Sequence, residues 1–302
     1  MNELTNLYTP YWVSSAEQKE VFLFIICGNM PANKIFERSK IILNEIEILS
    51  KQKLPNKGLL VKVQTEAHKA WNIFQLMLDH LKDLDIAIKP FRKTSKKLLI
   101  CDMDMTVLDI ESLDEAAQLI GKGQIVKSIT QQAMLGKLDF VNALQQRVSL
   151  LSGYPENIFY QVVKKSQFNG GAEILLENAK NIGSYTILVS GGFSQVAETV
   201  GQTLGFDEIY CNRLDIKNGI ITGKIIPPIV DANYKSQILI RKSKELKIPL
   251  EDCYALGDGA NDIPMIQSAG IGISYFGKPP TRLATPYQIN STNLASVANF
   301  MV

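Results

Sequence analysis

Apolar residues fall along this chain in two rhythms. Unbroken runs such as "VFLFIIC" from Val21, "GLLVKVQ" from Gly58 and "KLLIC" ending at Cys101 are too short for helices and predict buried strands. Between the first two, "ANKIFERSKIILNEIEIL" repeats its apolar positions every three or four residues and predicts a helix from Ala32 to about Leu49. "HKAWNIFQLMLDHL" carries the same period, and "LDIAIKP" reads as the last strand of the group. Residues 1–92 are therefore expected to form a small α/β or α+β domain. The polar, basic, proline-containing "KPFRKTSKK" from Lys89 is a solvated linker to the rest.

Residues 93–302 predict a larger α/β domain. After "KLLIC" comes a mostly helical region from about 112 to 180, then apolar runs at "YTILVSGG", "DEIYCNRLDI", "DCYALGDG" and "GIGISY". Apolar strands without polar alternation, separated by helices, imply a mainly parallel Rossmann-like sheet covered on both faces. Asn218–Gly219 between two alternating runs predicts a tight hairpin.

Each strand of the parallel set ends in polar chemistry. The first delivers Asp102 and Asp104, the second Ser190 and two glycines, the third Asp258, Asn261 and Asp262. Ligands bind beyond the carboxyl ends of such strands, so these groups should meet in one crevice. Clustered carboxylates repel one another unless a cation joins them, and hard oxygen ligands select Mg2+. The expected ligands are Asp102, Asp258 and the backbone carbonyl of Asp104. Asp102 is then a candidate nucleophile able to form an acyl phosphate. Side chains alternate along an extended segment, so Asp104 points the same way and is placed to act as general acid and then base. Ser190 and the following backbone N–H groups suit a phosphoryl anion, and Lys235 is the expected cation.

The composition adds little that contradicts this. The chain has 302 residues, 46% hydrophobic and 21% charged, with a net charge of +2, which gives no global drive toward nucleic acid or membrane. The four cysteines form no CxxC pair, and the first residues show no basic and apolar leader. A cytoplasmic, reducing setting is expected.

The segments "DMDMTVLDIESLDEAA", "ITQQAMLGKLDFVNALQQRVSLLSG", "ILVSGGFSQ", "NGIITGKIIPPIVDANYKSQIL" and "ALGDGANDIPMIQSAGIGI" together resemble the haloacid dehalogenase-type phosphatases. From residue 97 to about 285 they resemble the phosphoserine phosphatase branch. The resemblance implies a helical cap at about 112–168, Asp102 as nucleophile and Asp104 as acid/base. It places Ser190, Gly191, Gly192, Lys235 and Asn261 on the phosphoryl group, with Asp262 orienting Lys235 or the metal's waters. Glu111 would meet the substrate's ammonium and Arg147 its carboxylate, while Met134 and Phe140 line the apolar part. The implied substrate is free phosphoserine and the implied step the last one of serine synthesis.

Two departures stand out. Met105 takes a position where the family commonly has a small hydroxyl residue, and its backbone N–H is expected to keep the phosphate contact. Asn169–Gly170–Gly171 replaces a proline-containing helix start. A phosphotransferase of the same architecture, a phosphatase for another small phosphomonoester and a non-catalytic phosphate-binding protein stay open as alternatives. For residues 1–92 the readings are a packing or dimerisation module, with a homodimer as the implied assembly, or a degenerate serine-sensing domain.

Overall fold

The computed structural model describes residues 10–14, 18–92, 96–134 and 138–302, without the side chains of Tyr11, Ser14 and Met134. The first unit runs β1 (Lys19–Cys27), α1 (Ala32–Leu43), β2 (Glu47–Leu54), β3 (Gly58–Glu66), α2 (Ala67–His80) and β4 (Asp85–Pro90). Its strands form an antiparallel sheet in the order β2-β3-β1-β4. The helix predicted to reach Leu49 stops at Leu43, and "EILSKQKL" is instead a strand. β2 lies at the sheet edge with most of its side chains exposed, so burial imposes no strand period on it and the helical spacing of its predecessor reads on into it.

The second sheet has the order β11-β10-β9-β5-β6-β7-β8, parallel except for the β7–β8 hairpin. It is built from β5 (Leu98–Cys101), β6 (Tyr185–Phe193), β7 (Glu208–Lys217), β8 (Ile220–Ile226), β9 (Cys253–Gly257), β10 (Ile271–Tyr275) and β11 (Tyr287–Ile289). Around it lie α7 (Ala172–Asn181), α8 (Ser194–Leu204), α9 (Ala232–Leu246), α10 (Ile263–Ser268), α11 (Pro279–Leu283) and α12 (Leu294–Phe300). Alternate residues of the central strands face opposite layers: Leu98 and Ile100 pack with Leu239 and Met265, whereas Leu99 and Cys101 join the larger core on the other side. That larger core runs without a break into Phe22, Phe24 and Ile26 of the antiparallel sheet. Polar ties reinforce the junction. Buried Asp85 accepts the N–H groups of Asn290, Ser291 and Thr292 at 2.9, 3.0 and 2.8 Å, and Lys89 Nζ donates to the Tyr254 hydroxyl at 2.9 Å.

Between β5 and β6 the chain leaves the sheet through α3 (Ser112–Leu119), α4 (Gly123–Met134), α5 (Phe140–Ser149) and α6 (Ile158–Lys165). The outgoing and returning segments are clasped together, with Asp109 N–H on Gln167 O at 3.1 Å and Asn169 N–H on Val107 O at 2.8 Å. Asn169 does more than start a helix: its Nδ2 donates to Thr106 O and Leu108 O at 2.9 and 3.0 Å, fixing the turn after the predicted nucleophile. The Asn218–Gly219 turn has both residues at positive φ, 50° and 75°, as a two-residue hairpin of this kind requires. At Gly223 the hairpin meets the end of α5 so closely that a Cβ would lie 2.9 Å from Ser152 Cβ. No described helix is long and apolar enough to cross a membrane.

Candidate active site

The register of the central strands sets the site. Cys101 pairs with both Leu188 and Leu256, so Asp102, one residue on, and Ser190 and Asp258, two residues on, leave the sheet at nearly the same level. Asp102 continues the ladder by donating its N–H to Leu256 O at 2.9 Å. Lys235 stands in the first turn of α9, a helix begun by Asp231, whose carboxylate accepts the Tyr234 N–H at 2.8 Å.

Lys235 is fully buried, its Nζ 2.6 Å from Asp102 Oδ1 and 2.7 Å from Asp262 Oδ1. Burial works against its charge, but Asp102 and Asp262 outweigh that and hold the ammonium above its usual range. For Asp102 burial is the leading influence and raises the carboxyl, with Asp262 adding to it and Lys235 opposing. Asp262 spends its second oxygen on the Gly259 N–H at 3.0 Å. Ligand oxygens of Asp102, Asp258 and Asp262 all lie within 4.8 Å of one another. One buried ammonium serves two of these carboxylates, while Asp258 meets Lys278 Nζ at 3.3 Å.

Asp104 accepts from Ser112 Oγ at 2.8 Å through Oδ2, while its buried Oδ1 has no hydrogen-bond partner among the described residues. Burial, then the charge of Glu111, pushes its carboxyl up to about 7. Burial likewise raises Asp258 to about 6, partly offset by Lys278. A carboxyl that keeps its proton near neutrality and has a free oxygen suits proton donation.

Ser190 Oγ accepts the Gly192 N–H at 2.8 Å, which leaves its own proton free to be donated. Asn212 steadies this loop from behind, donating to Gly191 O and accepting from Val230 N, both at 2.8 Å. At Gly192 a Cβ would come to 3.0 Å from Ser190 Oγ and 3.1 Å from Ser112 Oγ, so a larger residue would crowd the cradle.

Asp102, Asp104, Glu111, Phe140, Arg147, Ser190, Gly191, Gly192, Asp258 and Asn261 line one cleft of about 80 Å³. Lys235 and Asp262 lie beneath it. Phe140 opens α5 and Arg147 lies two turns further along that helix. Among the described residues Arg147 Nη1 makes only long contacts, 3.8 Å to Asp114 Oδ1 and 3.5 Å to Thr130 Oγ1, so its fork retains capacity for an anion. The pocket-lining expectation for Met134 falls outside the described side chains. Met105 sits at φ 55° and gives its N–H to Ile110 O at 3.2 Å, rather than leaving it for an anion.

The cleft-lining Leu113, Leu144 and Lys278 escaped the sequence reading, as did Ser112 and Asp114 beside it. Ser112 holds Asp104, Asp114 faces Arg147, and Lys278 reaches Glu111 Oε1 and Asp258 Oδ2, each at 3.3 Å. Lys278 carried one signal, since it follows the apolar run of β10 and a fourth strand tip should also empty into the crevice.

The family model described as haloacid dehalogenase-like hydrolase matches residues 99–267. A phosphoserine phosphatase of Lactococcus lactis is 39% identical over 207 residues, 68% of this chain and 96% of that protein. The crystal structure of a haloacid dehalogenase family hydrolase from Salmonella enterica serovar Typhi superposes with a TM-score of 0.82 at 26% identity, covering 93% of this chain and 98% of that one. A substrate-bound phosphoserine phosphatase structure superposes with a TM-score of 0.66 at 35% identity, covering 70% of this chain and 100% of that one.

Proposed function

The chain belongs to the haloacid dehalogenase-like hydrolases, within them to the phosphoserine phosphatases, and on that premise we propose that it hydrolyses O-phospho-L-serine to serine and phosphate through a phosphorylated Asp102. The observation that carries this reading is the buried Lys235–Asp102 pair, 2.6 Å apart, at the floor of a cleft that Asp104, Ser190 and Asp258 share.

In the first half-reaction an Asp102 carboxylate oxygen attacks phosphorus and the bond from phosphorus to the serine oxygen breaks. Asp104 gives that oxygen its proton through the unpartnered Oδ1. In the second, Asp104 takes a proton from water as the water oxygen attacks phosphorus and the Asp102–phosphorus bond breaks. Lys235, the Ser190 hydroxyl, Asn261 and the Gly191 N–H hold the transferring group, the Gly192 N–H being spent on Ser190 Oγ, so positioning and charge neutralisation supply most of the rate.

The residues present fit a divalent cation. The carboxylates of Asp102, Asp258 and Asp262 cluster, Asp258 is met among the described residues by the part-exposed Lys278 at 3.3 Å, and one buried ammonium leaves the acids under-neutralised. Asp262 has both oxygens engaged, so Asp102, Asp258 and the Asp104 carbonyl are the groups that would hold Mg2+, with Asp262 orienting Lys235. Bound there, Mg2+ supplies charge neutralisation at the transferring phosphoryl group.

Without the ion, Asp104 and Asp258 keep protons up to about 7 and 6, whereas the unfolded chain sheds them near 3.8. Between those limits the folded state binds more protons, so stability falls as pH rises. Metal-free protein is expected to melt several degrees lower at about pH 8 than at about pH 5, with Mg2+ recovering much of the difference at the higher pH. Melting curves across that range check it.

Glu111 meets the substrate's ammonium and Arg147 its carboxylate. Arg147→Ala should lower kcat/KM for phosphoserine about a hundredfold and that for p-nitrophenyl phosphate only a few-fold. Equal losses on both substrates would remove the carboxylate clamp from the account. Phosphate release with and without homoserine separates hydrolysis from transfer to another alcohol.

The product makes this the last step of serine biosynthesis. Four free cysteines support a reducing, cytoplasmic setting. We divide the chain at about residue 92, with a cap over 112–168 that closes on small substrates. The ties from Asp85 and Lys89 favour the packing role for residues 1–92 over serine sensing.

A further inference from the structure

Lys278 is delivered to the cleft by a loop built for close approach. Phe276 is held at φ 43°, its N–H on Ile289 O at 2.8 Å, and a Cβ on Gly277 would fall 2.1 Å from Ser274 Oγ. The Lys278 N–H donates to Asp258 O at 2.9 Å, and its carbonyl accepts from Thr281 and Arg282 at the start of α11. The backbone is therefore fixed beside Asp258. The side chain is not: it is 39% exposed, and both of its carboxylate contacts are long, 3.3 Å to Glu111 Oε1 and 3.3 Å to Asp258 Oδ2. Those two carboxylates are the groups assigned above to the substrate's ammonium and to the metal ion.

We propose that Lys278 is a tethered counter-cation that occupies Glu111 and Asp258 in the resting enzyme, so that a divalent ion arriving at Asp258 displaces it and frees Glu111 for an ammonium-bearing substrate. A dication on Asp258 and an ammonium on the same carboxylate repel each other, and the exposed stem gives Lys278 an exit. Metal and amino-acid substrate then bind with positive coupling, each tightening the other by the same factor. The inference rests on the phosphoserine reading for its second ligand only.

Calorimetric titration of Mg2+ into the metal-free full chain tests it. Lys278→Met should bind Mg2+ about tenfold more tightly than wild type, because the competing charge is gone, while Lys278→Arg should stay near wild type. L-Serine titrations should show that Mg2+ tightens serine binding in wild type and much less in Lys278→Met. Mg2+ affinity in Lys278→Met that is unchanged or weaker, or an undiminished serine gain in that variant, overturns the proposal. The Mg2+ heats do not depend on turnover. A wild type that fails to hydrolyse phosphoserine refutes the proposed function, whereas a wild type that hydrolyses it with an unresponsive Lys278→Met refutes this inference alone.

Discussion

Asp102→Asn is expected to cut phosphate release from phosphoserine by about 10⁴-fold or more while leaving the fold in place. The amide matches the carboxylate in shape but has no oxygen able to attack phosphorus. Folding survives because Lys235 keeps Asp262 at 2.7 Å, so the buried ammonium is still paired. Burial and the neighbouring Asp262 already disfavour the Asp102 charge, so removing that charge should cost little stability. Initial rates and a melting curve on the same sample check both halves. A variant that turns over at even a tenth of the wild-type rate would exclude a covalent route through this residue.

Lys235→Met is expected to lose activity to a similar degree and, unlike Asp102→Asn, to lose stability as well. Methionine fills a similar volume but leaves Asp102 and Asp262 buried and uncompensated. Breaking a buried pair in this way costs about 3–5 kcal/mol. Denaturant unfolding of the metal-free protein should show that loss, and the loss should shrink at acid pH where the stranded carboxyls can take up protons. An unaffected midpoint at neutral pH would mean that the pair contributes nothing to the folded state.

Much of the site was legible because its residues sit where physics makes sequence readable. A short apolar run that breaks at once into glycine or a polar residue announces a strand tip, and "LLICD", "LVSGG" and "YALGD" each say so without help from the rest of the chain. Parallel pairing then brings the tips level, as the register of Cys101 against Leu188 and Leu256 shows. Lys235 needed more: nothing in "ANYKSQ" marks a buried lysine, and its reading as the cation rested on its place between two strand motifs.

What was not legible depends on long-range placement. The edge strand β2 hides because most of its side chains face water, so "EILSKQKL" continues the spacing of α1. β11 is three residues long and gives no period. Lys278 sits in "GKPP", which carries no motif, and only the positive φ at Phe276 and the close approach at Gly277 bring it to Asp258. The left-handed backbone at Met105, which turns its N–H toward Ile110, is likewise set by the turn and not by the residue type.

Acid quenching during turnover of phosphoserine with Mg2+, followed by peptide mass analysis, addresses the covalent step itself. The expected result is one phosphoryl group on the peptide that contains Asp102, labile to hydroxylamine and missing from Asp102→Asn. Full turnover with that peptide unmodified at every quench time, and phosphate still released by Asp102→Asn, would contradict the account.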